Sequence, residues 1–156
     1  MRSRALFAPL VALALGIALT AGCQEGATPT TSTAVPPPAS ASPEMVVRAW
    51  IDAVNAGDEA AGRVLSTPVF ADADRDAEGG WFANTLSIRD LQVGAPVPAR
   101  GLQSNRDFAH VVVVPVAFLL EQKKELSFRN GPVQWGFVLV RDASGERWRI
   151  NEQGLG

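Results

Sequence analysis

The sequence predicts an α+β domain in which N-terminal helices pack on one face of a curved, mostly antiparallel sheet. Three observations predict it. Capped amphipathic patterns come first, over residues 43–65. Alternating or continuous apolar runs follow from about residue 81. Turn signals at Asn130-Gly131 and Asp142-Ala-Ser-Gly145 separate the last of those runs. Helices first and strands after, without alternation, is the order of an α+β arrangement.

The chain begins with material that cannot belong to that domain. Met1-Arg-Ser-Arg4 is a short positive stretch, and Ala5 to Leu19 is almost wholly apolar and uncharged. Leu19-Thr20-Ala21-Gly22-Cys23 follows, completing the three-part pattern of an export signal over residues 1–22. Gln24–Ser42 is rich in Thr, Ser, Ala and Pro, with Pro36-Pro37-Pro38 in its middle and one charge, Glu25. Such a stretch buries no apolar surface and is expected to be a disordered tether over residues 23–42. It reaches roughly 25 Å as coil and about 60 Å as polyproline II.

Residues 43–156 then form one domain, large enough to hold a core without a disulfide or metal. Ser42-Pro43-Glu44 supplies a cap, a proline at the first helical position and an acid in the first turn. Val46, Ala49, Trp50, Ala53 and Val54 make one apolar stripe, and Asn55-Ala-Gly57 ends it. Asp58 caps a shorter helix to about Leu65, stopped by Ser66-Thr67-Pro68. Phe70–Gly80 reads as irregular and acidic. From Trp81 onward the pattern is strand-like: Thr85–Val93 alternates in part, Pro96, Pro98 and Gly101 mark a loop, and Phe108–Leu120 is a long apolar run. Val133–Arg141 is a strand, and Glu146–Asn151 closes the sheet with Trp148 and Ile150 on one face.

Charge narrows the function classes. The 14 basic residues include Arg2 and Arg4; without residues 1–22, 12 face 16 acids, a formal −4. No basic stripe remains for phosphates, so nucleic-acid binding is not expected. A single cysteine allows no internal disulfide.

Two resemblances add to this reading. Residues 19–23 resemble a bacterial lipobox, in which small residues precede a cysteine whose thiol takes a diacylglyceryl group; Thr20 stands where leucine is commonest. The resemblance implies a lipoprotein held on the extracytoplasmic face of a bacterial membrane through Cys23. The stretch Val46-Val-Arg-Ala-Trp-Ile-Asp-Ala-Val-Asn-Ala-Gly-Asp58, with Trp135-Gly-Phe-Val-Leu-Val-Arg-Asp142 and Glu146-Arg-Trp-Arg-Ile-Asn151, resembles the nuclear transport factor 2-like superfamily. That superfamily implies a cone-shaped α+β domain and includes enzymes, binding modules and oligomerisation domains, so fold does not settle function.

Candidate sites are few. His110, the only histidine, is a candidate base, as in dehydratase-type relatives, yet Asp107 lies an odd number of residues away, on the opposite face of a regular strand. Ketosteroid isomerase-type chemistry uses an Asp base with a tyrosine-containing oxyanion hole; the chain has no tyrosine, leaving Asp90 a lone acid. Asp72, Asp74, Asp76 and Glu78 resemble the opening of a calcium loop, but Ala77 and Ala83 hold the positions that need Gly and Glu. A solvated acidic loop is the simpler reading. The aromatics either fill the cone or line a pocket for a small apolar ligand. Nothing implies a cofactor. The run from Ala109 to Leu120 is apolar on both faces, and helices cover only one. Val111, Val113, Ala117 and Leu119 are therefore expected on an outer face that self-associates or binds a protein partner, unless a bulge at Pro115 exchanges the faces beyond it. The favoured function is non-enzymatic binding or assembly; the alternative is an enzyme of dehydratase or cyclase type using His110 or an aspartate.

Cys23→Ala is expected to abolish incorporation of radiolabelled palmitate and to release the protein from membranes or leave it unprocessed. Normal labelling and retention of that variant contradict the lipid anchor.

Overall fold

Three helices begin with the same device, a short polar side chain that accepts a hydrogen bond from the first turn. A computed structural model describes residues 35–99, 105–126 and 128–154; Cys23 and the export segment lie outside them. Ser42 caps α1 (Pro43–Ala56) by accepting from the Met45 N–H, and Gly57, at φ 66°, closes its C-terminus in the left-handed conformation that glycine adopts without strain. Asp58 caps α2 (Glu59–Val64) through the Ala61 N–H. Thr67 caps α3 (Pro68–Asp76) through the Phe70 N–H. The stretch expected to be irregular is thus helical over most of its length. Thr67-Pro68 repeats the Ser42-Pro43 start: the proline that ends α2 also opens α3. A fourth helical turn, α4 (Trp81–Asn84), precedes the first strand where strand was expected.

The strands are β1 (Thr85–Val93), β2 (Val97–Pro98), β3 (His110–Gln122), β4 (Gly131–Arg141) and β5 (Arg149–Gly154), in one antiparallel sheet of order β1-β3-β4-β5, with β2 also pairing β3. The expected loop around Pro96 and Pro98 therefore holds a two-residue strand. The closing strand begins later than expected, at Arg149. Asn130-Gly131 is not a two-residue hairpin turn: residues 123–130 connect β3 to β4, and Asn130 accepts from the Gln122 N–H to close the loop. Pro115 makes no bulge either. The β3–β4 register runs unbroken from His110↔Arg141 to Leu120↔Gly131. The Gly94 N–H donates to the Pro115 carbonyl, which places the proline's missing donor toward the gap between β1 and β2, where no ladder bond is lost.

The even-numbered residues Val114, Val116, Phe118 and Leu120 are accordingly buried against the helices, as the sequence suggests. They join Val46, Val47, Trp50, Ile51, Leu65, Phe137, Leu139 and Ile150 in one core, within the compact unit from Ser32 to Gly156. The tether's last residues take part too: Ala41 is buried, against the expectation that nothing before Pro43 packs. Two asparagines, Asn84 buried and Asn55 exposed, tie the layers together. Asn55 donates to the Ile88 carbonyl and accepts from its N–H, while Asn84 bonds the Lys124 backbone at both its N–H and its carbonyl.

The corner between α3 and α4 leaves no room for a side chain at Gly80, where a Cβ would sit 2.1 Å from the Asp74 carbonyl oxygen. Gly80→Ala is expected to cost about 1–3 kcal/mol in urea unfolding. Gly145→Ala, with nothing within 4 Å, is expected to stay within about 0.5 kcal/mol of the parent. Equal stabilities for the two variants contradict this packing.

Candidate functional site

The interior of the helix–sheet sandwich is occupied by rings. Trp50 lies edge-on to Phe70, Trp81 and Phe82 at 5.8–5.9 Å and tilted against Phe137 at 5.3 Å. Trp81 continues the cluster to Phe118 and Trp135, and Phe128 meets Trp135 at 4.8 Å. The space left beside Trp50, under α2 and α3, is about 10 Å³, about one water in size. Trp50, Phe70, Trp81, Phe82, Phe118, Trp135 and Phe137 fill the interior, while Phe108 and Trp148 line an open cleft of about 460 Å³ at the start of β3.

The candidate catalytic residues do not converge. His110 is the first residue of β3, and its Nε2 lies 3.3 Å from the Ser144 hydroxyl; no carboxylate among the described residues is paired with it. Asp107 precedes the strand in a turn and is exposed. Asp90 is exposed at a register shift of β1 with φ 54°, a conformation aspartate tolerates better than most residues, and its place is that of a bulge residue.

The alternating acids change meaning once their stretch is helical, because steps of two residues on a helix point apart. Asp72 pairs with Arg63 at 2.9 Å and Arg75 at 3.2 Å, and the Arg63 hydrogen bond holds its carboxyl below the ordinary value. Asp76 pairs with Arg75. Asp74 turns inward and accepts from the Trp81 N–H at 2.8 Å, capping α4, which has no cap of its own at Gly80. Burial pushes the Asp74 carboxyl above its ordinary value, against the lowering effect of backbone hydrogen bonds from Trp81 and Phe82. Among the described residues no group of three or more acids, histidines or cysteines could hold a metal ion. Capping by Asp74 was not legible in the sequence, since it needs α3 to be recognised as a helix first.

The outer sheet face remains. Register places Val111, Val113, Pro115, Ala117 and Leu119 of β3 on it, opposite Val140, Val138, Gly136, Gln134 and Pro132 of β4. Val138 and Val140 are buried, Val111, Val113, Ala117 and Leu119 half-buried, and Pro115 exposed; Val97, paired with Val113, is 57% exposed. A depression of about 490 Å³ opens beside Pro115 and Ala117, bordered by Gln92, Gly94 and Gln134. A Cβ at Gly136 would lie 3.4 Å from the Val113 side chain, in van der Waals contact with it. Arg89 and Glu121, 3.8 Å apart, stand at one rim.

Each edge of the sheet is obstructed at one residue. The outward N–H and carbonyl of Ile88 in β1 are taken by Asn55, and β1 carries two register shifts and the charged Arg89-Asp90. On the other side Ile150 of β5 exchanges bonds with Leu65 and Thr67. These are recognised ways of blunting edges. No helix among the described residues is long and apolar enough to cross a membrane. No protein-family model matches the chain, and no curated protein matches it.

Asp74→Ala removes the α4 cap and is expected to cost about 1 kcal/mol. Asp74→Asn keeps the acceptor and loses the half-buried charge. A raised folded pKa means that ionisation costs the native state more than the unfolded one. The parent therefore loses stability as pH rises from the ordinary aspartate value through the raised one. Asp74→Asn is expected to match the parent in acid and exceed it at pH 7 in denaturant titrations. An Asn variant as unstable as the Ala variant at pH 7 contradicts the assignment.

Proposed function

We propose that this chain is an exported lipoprotein, anchored by Cys23, whose domain works as a non-enzymatic binding and assembly module through the outer face of its sheet. The reading includes the nuclear transport factor 2-like cone implied by the sequence resemblance. One observation carries it: the half-exposed apolar surface along Val111, Val113, Pro115, Ala117 and Leu119 lies on the face that the helices leave uncovered.

Three further features support it. The interior around Trp50 is filled with aromatic side chains, leaving only about 10 Å³ beneath α2 and α3. Obstructed edges favour the face as the route by which sheet could meet sheet. A face with apolar groups at its centre and an Arg89–Glu121 pair at its rim has the layout of a protein interface. The enzymatic alternative, a dehydratase or cyclase using His110 or an aspartate, calls for a histidine and a carboxylate together in an open pocket; the cleft that His110 lines holds no aspartate or glutamate, and its ring meets the Ser144 hydroxyl.

Light scattering on residues 32–156 at roughly 50 µM is expected to report a dimer that Val113→Lys dissociates, with circular dichroism of the two proteins alike and an unfolding temperature that rises with concentration in the parent only. A clean monomer for the parent, unchanged in the variant, removes self-association; the same variant retaining every native partner in cross-linked membranes removes the face altogether.

A further inference from the structure

His110 begins a second feature, separate from the outer face. An open cleft of about 460 Å³ lies at the end of β3, walled by Pro98, Phe108, Val112 and Trp148, with Arg106 and His110 among its lining residues. Its volume is in the range of small-molecule sites. Its polar side chains are Asn105, Arg106 and His110. No aspartate or glutamate lines it, although the protein as a whole carries an excess of acid.

The cations of the domain divide into paired and unpaired, Arg48, Lys123, Arg129 and Arg147 being without an ion pair among the described residues. Arg63, Arg75, Arg89, Lys124 and Arg149 each stand within 4.0 Å of a carboxylate. Arg106, His110 and Arg141 have no ion pair among the described residues, yet they gather at one end of the sheet. His110 and Arg141 are directly opposed across the β3–β4 ladder. Arg141 lies 4.3 Å over the Trp148 ring and donates to the Ser144 carbonyl, while its Nε is buried without a hydrogen-bond partner. The Ser144 hydroxyl meets His110, whose ring lies 6.5 Å from that of Trp148. A closed circuit of Arg141, Ser144, His110 and Trp148 thus holds two basic groups in place. Directly opposed basic side chains gain nothing from each other and gain from an anion set between them.

We infer that this cleft binds a small aromatic carboxylate, its ring against Phe108 and Trp148 and its carboxylate toward His110 and Arg106. The aromatic wall supplies stacking and apolar burial, and the unpaired donors supply the charge complement. The inference stands apart from assembly through the outer face: Val113, Pro115, Ala117 and Leu119 take no part in the cleft, and of that face Val111 alone borders it.

Calorimetric titration of residues 32–156 with 2-naphthoate and with neutral 2-naphthamide tests it. Naphthoate is expected to bind at least ~10-fold more tightly than the amide, and Arg106→Glu to remove that preference while leaving amide binding unchanged. Amide-proton shifts should cluster in residues 105–112 and at Trp148. Arg106 is exposed in a turn, so its replacement leaves the core intact. Equal affinities for the two probes, no naphthoate binding at millimolar concentration, or shifts confined to the outer sheet face overturn the inference.

Discussion

Trp50 is the side chain on which the rest of the domain depends. It stands on α1 with under 2% of its surface exposed and touches rings from α3, α4 and β4. Three of the helix caps fix a ring of this cluster: Ser42 sets the helix that carries Trp50, Thr67 the one that carries Phe70, and Asp74 the turn that carries Trp81. The Trp50 and Trp135 indole N–H groups are buried without partners among the described residues. Each orphan donor costs about 1–3 kcal/mol. Burying a tryptophan of roughly 200 Å² returns about 5 kcal/mol at 25 cal/mol per Å², so ring packing outweighs the lost hydrogen bonds.

A core closed in this way moves function outward. The interior holds no cavity above water size beneath α2 and α3, and the sheet edges are obstructed by Asn55 on one side and by Leu65 and Thr67 on the other. What remains is a face and an end. The face is apolar, with a depression next to Pro115; the end is cationic and aromatic. The two differ in chemistry, and the proposals made for them differ accordingly.

Much of this was legible in the sequence because the signals were periodic. The α1 stripe, the β1 and β4 segments and the inward parity of Val114, Val116, Phe118 and Leu120 all follow from spacing. The misreadings share a cause, which is that one residue can do two jobs. Pro68 stops α2 and starts α3. Asp72, Asp74 and Asp76 alternate as if in an extended loop, yet lie on a helix where only Asp74 faces inward. Pro115 looks like a ladder defect but sits where the neighbouring strand is interrupted. The cationic end was missed because His110, Arg141 and Trp148 are distant in sequence and meet only through the β3–β4 register.

The account's central claim, that the domain acts through its outer sheet face and keeps its interior for stability, is tested most directly by carbene footprinting of the membrane-bound protein and of dilute residues 32–156. If the proposed assembly through this face forms, labelling of Val113, Pro115, Ala117 and Leu119 is strongly suppressed in the membrane sample, while Arg106 labels equally in both. Equal labelling of the outer face in the two samples contradicts it.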